Sequence, residues 1–251
     1  MKQIVVLSGK GGTGKTSISA AFAHLSFTQA NFPPSVFVDA DVDAANLSLV
    51  LQPNIHDPNE FWGGSLAIID SDQCVNWEAC SAVCRYDAIF PDPQNAQTQW
   101  IDPIACDGCA ACVYACPEGA IHMVQQQEGN WFQSQTPFGS LFHAELFSGK
   151  ENSGKLVTLI KQQGRLYAED SHSYLMIIDG PPGIGCPVIS ACSSTDLGLI
   201  MTEPSLTGLH DLKRVLGTLR HFRVPTVICI NKADIYPEGT RAIREFADAE
   251  D

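Results

Sequence analysis

The sequence predicts an α/β protein, a doubly wound and mostly parallel sheet interrupted by a small α+β insert. Three observations carry this. The apolar run Ile4–Leu7 enters a glycine-rich loop, Gly9–Thr16, which opens a helical stretch over Ser17–Ala30. Short apolar runs recur at Val36–Val38, Tyr174–Ile178, Leu197–Thr202 and Thr226–Ile230, and three of them end in Asp39, Asp179 or Asn231. Between residues 63 and 128 that alternation stops and a cysteine-rich repeat replaces it. The expected organisation is therefore a nucleotide-binding domain in two parts, residues 1–62 and 129–251, around an insert at 63–128.

The first loop, GKGGTGKT, fits the phosphate-binding pattern G-x-x-x-x-G-K-[ST], with a strand before it and a helix after it. Gly9, Gly11, Gly12 and Gly14 allow a tight turn whose backbone N–H groups, with those of Lys10, Thr13 and Ser17, face phosphate oxygens. Lys15 is placed to reach the β- and γ-phosphates and the Thr16 hydroxyl to bind Mg²⁺. The following helix points its positive end at the same phosphates. The alternative is a glycine-rich turn without a ligand, which leaves the lysine, hydroxyl and helix unexplained.

A second lysine, Lys10, follows the first glycine, where its own phosphates need no further cation. KGGTGKT resembles the deviant phosphate loop of the MinD/ParA ATPases, a group that includes the nitrogenase iron protein and Mrp-like ATPases. The resemblance implies ATP as the nucleotide and a nucleotide-bridged homodimer in which Lys10 reaches the partner's ATP. DADVDAAN (Asp39–Asn46) then resembles the family's first switch region. It implies that Asp39 neighbours the Mg²⁺ shell, that Asp41 orients the attacking water, and that Asn46 belongs to the switch helix. Acidic helix capping is the plainer alternative for these carboxylates. Asp179, closing an apolar strand, fits a carboxylate that holds Mg²⁺ through water. The Gly180–Gly183 segment after it resembles the second switch. NKAD (Asn231–Asp234) resembles the base-binding edge, with Asn231 as the contact; it also fits a guanine motif, so ATP over GTP rests on the resemblance.

Ten cysteines are many for a chain with no predicted signal peptide, and metal or redox chemistry explains them better than disulfides. Seven lie between Cys74 and Cys116, inside an internal repeat. Ile69–Ile89 superposes on Ile101–Ile121 at a constant offset of 32 residues. The second copy carries Cys106, Cys109, Cys112 and Cys116-Pro117, the C-x₂-C-x₂-C-x₃-C-P run of bacterial ferredoxins. In that pattern the fourth cysteine serves the other cluster, so Cys84, Cys106, Cys109 and Cys112 form one [4Fe–4S] ligand set. The other set is Cys74, Cys80 and Cys116, because Trp77 stands where the repeat requires a cysteine. Indole nitrogen is no metal ligand. Three readings follow: a [3Fe–4S] cluster, a second [4Fe–4S] cluster with a foreign fourth ligand, or a vacant site packed by Trp77. An occupied three-cysteine site ranks ahead of vacancy.

The remaining cysteines, Cys186, Cys192 and Cys229, read as packing residues. Trp131–Thr136 and Leu141–Phe147 read as extended, Ser153–Gln163 as a helix capped by Asn152 or Ser153, Leu206–Phe222 as an amphipathic helix, and Pro237–Asp251 as an acidic one. The net charge of −13 argues against a nucleic-acid or anionic-membrane partner. No apolar run reaches bilayer length, and the expected location is cytoplasmic. The functional expectation is ATP hydrolysis coupled to electron transfer with a redox or iron–sulfur protein partner. An iron–sulfur carrier, or a positioning switch with structural or redox-sensing clusters, are the alternatives.

Overall fold

The computed structural model describes residues 1–54 and 57–250. Strand β1 (Lys2–Ser8) buries Val5, Val6 and Leu7 completely, and the glycine-rich loop follows it into helix α1 (Lys15–Thr28). The helix begins two residues earlier than the sequence predicts, because Gly14 caps it in the left-handed region at φ 99° and Lys15 is already helical. Strand β2 (Ser35–Asp39) is buried at every position, as expected of a strand covered on both faces. Helix α2 (Leu47–Leu51) starts after Asn46, which is its cap and not a member.

The chain divides into two compact units. One comprises residues 1–59, 130–146 and 153–251; the other comprises Glu60–Gly129 with Phe147–Asn152. After the short β3 (Asn59–Phe61), the second unit holds β4 (Gly64–Ile69), α3 (Ala79–Val83), β5 (Ile89–Pro91), β6 (Gln99–Ile101), α4 (Ala111–Ala115) and β7 (Ile121–Gln126). Strand β4 pairs antiparallel with β7, and β5 with β6.

The 32-residue repeat is visible in three dimensions. Asp70 N–H donates to Ala120 C=O and Asp102 N–H to Ala88 C=O, both at 2.8 Å, so each copy closes on the other by the same bond. Positive φ recurs at matched positions: Asn76 with Gly108, Glu78 with Ala110, Asp87 with Gly119. Gly108 has a further reason, since a Cβ there would lie 2.2 Å from Ser65 C=O. The small core between the copies is Ala67, Cys80, Ile89, Ile101, Cys112 and Ile121.

The first unit resumes with the hairpin β8 (Gly129–Thr136) and β9 (Gly139–Leu146), then α5 (Ser153–Asp170). Helix α5 extends seven residues past the predicted Gln163, because Gly164 and Ala168 continue the buried stripe of Leu156, Val157 and Ile160. Asn152 donates its side-chain amide to Glu128. The chain completes the unit with β10 (Leu175–Pro182), α6 (Cys186–Cys192), β11 (Leu197–Thr202), α7 (Leu206–His221), β12 (Thr226–Ile230) and α8 (Pro237–Glu250). The predicted end of that last helix, Asp251, lies outside the described residues.

The main sheet runs in the order β12-β11-β1-β10-β2-β9-β8. The pairs from β12 to β9 are parallel. Strand β12 is an edge: Val227 is exposed and Cys229 half-buried, so Cys229 is not the buried packing residue expected. Cys186 also departs from that expectation and is exposed at the start of α6, whereas Cys192 is fully buried. Among the described residues no helix is long and apolar enough to cross a membrane.

Candidate nucleotide and thiol sites

Parallel pairing brings residues from distant parts of the chain to one edge of the sheet. Read across the strand order, the C-terminal ends carry Asn231 after β12, Glu203 after β11, the glycine loop after β1, Asp179 in β10 and Asp39 in β2. Open α/β sheets bind ligands outside this edge. Asp39 and Asp179 are register partners and both are buried.

Asp39 accepts backbone N–H bonds from Asp41 at 3.2 Å and Leu47 at 2.9 Å. Burial, reinforced by the Asp179 charge, nevertheless pushes its carboxyl up to about 8. Burial also raises Asp179, although it accepts hydrogen bonds from Ser19, at 3.0 Å, and Thr16. Asp41 is raised by burial and lowered by Lys15. Lys15 is itself lowered by burial, against the opposing pull of Asp179, Asp41 and Asp39. Once both are ionised, two adjacent buried carboxylates exceed the single lysine in charge, and burial resists that state until a cation relieves it. That donor set, with the Thr16 hydroxyl, fits a hard divalent cation such as Mg²⁺.

The loop is braced from the far edge. Asn231 Nδ2 donates to Thr13 C=O at 2.9 Å, and a Cβ at Gly14 would fall 2.5 Å from the same nitrogen. The Thr13 hydroxyl is buried without a hydrogen-bond partner among the described residues. Lys10 does not extend away from its own chain. It forms an ion pair with Glu203, which also meets Lys232 at 3.4 Å, and Lys232 bonds Gly12 C=O. Sequence reasoning missed Glu203 and Ser19. Ser19 was within reach of it, three residues after Thr16 on one helix face; no motif marks Glu203.

In the second unit the two thiol sets line two separate cavities of nearly equal size. One, of about 20 Å³, is lined by Cys84, Cys106, Cys109 and Cys112. The other, also about 20 Å³, is lined by Cys74, Cys80 and Cys116. All ten cysteines of the chain are free thiols. Burial raises the Cys80 and Cys112 thiols, which sit 32 residues apart. Among the described residues no three His, Cys, Asp or Glu side chains converge on a single ion. A cubane does not need such convergence: its thiolates bind different irons at separate corners and must surround a cavity. The donor sets, four thiols and three, are of the chemical kind that iron–sulfur clusters take. Trp77 lines the three-thiol cavity but is 64% exposed, so it does not pack a vacant site in the way one expectation required.

Residues 4–241 match the model of the CobQ/CobB/MinD/ParA nucleotide binding domain. The chain belongs to this family. Over 230 residues it is 36% identical to an uncharacterized protein of Methanocaldococcus jannaschii, covering 92% of this chain and 78% of that one. A shorter likeness, 34% over 67 residues, is to the pyruvate synthase subunit PorD of the same organism, covering 27% of this chain and 76% of that subunit. Among solved structures, the cell division ATPase MinD of Pyrococcus furiosus superposes with a TM-score of 0.51 at 19% identity, covering 97% of this chain and 79% of that one. At that identity the likeness is one of fold. Membership of the family accounts for the large parallel sheet and for the loop after β1.

Proposed function

We propose that this chain is an ATP-hydrolysing switch that acts as a nucleotide-bridged homodimer and carries iron–sulfur clusters on its second unit. The switch would gate electron transfer to a redox or iron–sulfur protein partner. The observation that carries this reading is the sorting of seven thiols into two cavities, four and three, as crossed ligation requires. Residues 63–128 are then a ferredoxin-like insert in a nucleotide-binding domain formed by 1–62 and 129–251.

In this reading the loop amides of Gly9–Thr16 and Ser17 bind the phosphates, and Lys15 neutralises the β- and γ-oxygens. Thr16, Asp39 and Asp179 hold Mg²⁺, which would neutralise charge developing on the phosphates. Asp41 orients the attacking water. Asn231 contacts the base, which requires it to leave Thr13 C=O. Lys10 serves the partner's nucleotide and must first leave Glu203. A [4Fe–4S] cluster would supply a one-electron store, held by Cys84, Cys106, Cys109 and Cys112. The free thiols suit a reducing, cytoplasmic setting.

The test is to purify the protein without oxygen and to measure acid-labile sulfide, ATP turnover and sedimentation with a non-hydrolysable ATP analogue. The reading requires sulfide in the protein and dimerisation that depends on the analogue. Absence of sulfide removes the redox half, and a monomer at saturating analogue removes the switch.

A further inference from the structure

The three-thiol cavity is bordered by Trp77, which stands where the repeat has a cysteine. Backbone geometry at the broken corner is intact: Asn76 and Glu78 hold the same positive φ as Gly108 and Ala110, which flank Cys109. Copy one thus presents residue 77 as copy two presents its second cysteine. The indole turns outward, and its Nε1–H donates to Glu118 Oε1 at 3.2 Å. Glu118 lies two residues after Cys116 and lines the same cavity.

The repeat supplies an independent comparison. The counterpart of Glu118, 32 residues earlier, is Tyr86, and Tyr86 lines the four-thiol cavity. The same position therefore borders the cavity in both copies, with its side chain also exposed to solvent. Where four thiols are present it carries a phenol hydrogen-bonded to Asp107. Where one thiol is missing it carries a carboxylate.

Resting on the iron–sulfur reading above, we propose that Glu118 is the fourth ligand of a [4Fe–4S] cluster on Cys74, Cys80 and Cys116, oriented by Trp77. One carboxylate oxygen takes the indole N–H and the other is left for iron. This revises the expectation that the indole marks a missing iron. A single oxygen ligand binds iron less firmly than thiolate, so this corner exchanges its metal. Loss of the corner is balanced, with no electron transferred, as [4Fe–4S]²⁺ giving [3Fe–4S]⁰ and Fe²⁺, and added Fe²⁺ reverses it. Trp77 is a positioning residue in this scheme, and its loss should speed iron release roughly 10-fold or more, as for groups that orient a metal ligand.

The experiment counts iron and sulfide and records electron paramagnetic resonance on the anaerobic full-length protein. Wild type should hold about eight irons per chain, and Glu118→Gln about seven, with an oxidised [3Fe–4S] signal. Trp77→Phe should keep the full count but release one iron to a chelator faster than wild type. Trp77→Cys in the Glu118→Gln background should restore the count, which separates ligation from misfolding. Glu118→Gln with undiminished iron and an unchanged spectrum overturns the proposal, as does wild type with about seven irons or about four. Wild type without sulfide overturns the iron–sulfur reading itself.

Discussion

The two units assemble their candidate sites in opposite ways. In the first, the groups come from five strand ends spread between Gly9 and Asn231, and parallel pairing alone brings them together. In the second, both cavities are built by one short motif written twice, and the thiols of each cavity lie within 43 residues of sequence, Cys74 to Cys116. A site gathered from distant strands tolerates separate tuning of each group. A site built by duplication inherits its geometry whole, so a single departure such as Trp77 stands out and calls for compensation nearby.

The sharpest way to break the comparison is to disable one unit and look for damage in the other. Lys15→Ala should abolish nucleotide binding while leaving iron and sulfide content unchanged, as titration calorimetry and iron assay would record. Lys10→Ala should bind nucleotide normally yet lose dimerisation and turnover. A Lys10→Ala protein that still sediments as a dimer with an ATP analogue would place Lys10 in its own site, braced by Glu203.

Next in size is the water-orienting carboxylate. Asp41→Ala should lower hydrolysis roughly 10²-fold, the usual cost of a lost positioning group, with little change in nucleotide affinity. The double effect should be an ATP-bound dimer that persists. An unchanged turnover number would return Asp41 to the capping role, in keeping with the Ala44 N–H bond that its carboxylate accepts.

The smallest effect belongs to Glu203. Its pairs with Lys10 and Lys232 are partly solvated, and such pairs contribute about 0–1 kcal/mol. Glu203→Gln should therefore lower the ATP concentration needed for half-dimerisation by up to about fivefold. Weaker dimerisation would mean instead that Glu203 orients Lys10 for its task.

Legibility in the sequence followed the same division. The strands and the phosphate loop were readable because each is a local pattern, an apolar run or a glycine spacing with its own physical cause. The seven clustered cysteines were readable because a repeat fixes them by position. What escaped were pairings made by tertiary structure: Lys10 with Glu203, Asp39 beside Asp179 in register, Trp77 with Glu118. Cys186 was misread because sequence gives residue type but not exposure. Helix α5 was cut short at Gly164, where the buried stripe in fact continues and glycine permits close packing: a Cβ there would stand a tight 3.1 Å from a Val38 methyl.

The central claim is that nucleotide state and cluster chemistry are linked in one chain. The direct measurement is the midpoint potential of the cluster on Cys84, Cys106, Cys109 and Cys112, taken without nucleotide, with MgADP and with a non-hydrolysable MgATP analogue. For a one-electron couple, about 59 mV corresponds to a tenfold change in equilibrium. The account predicts a shift of that order with the ATP analogue in wild type and none in Lys10→Ala. Identical potentials in all three nucleotide states of the wild-type protein would contradict it.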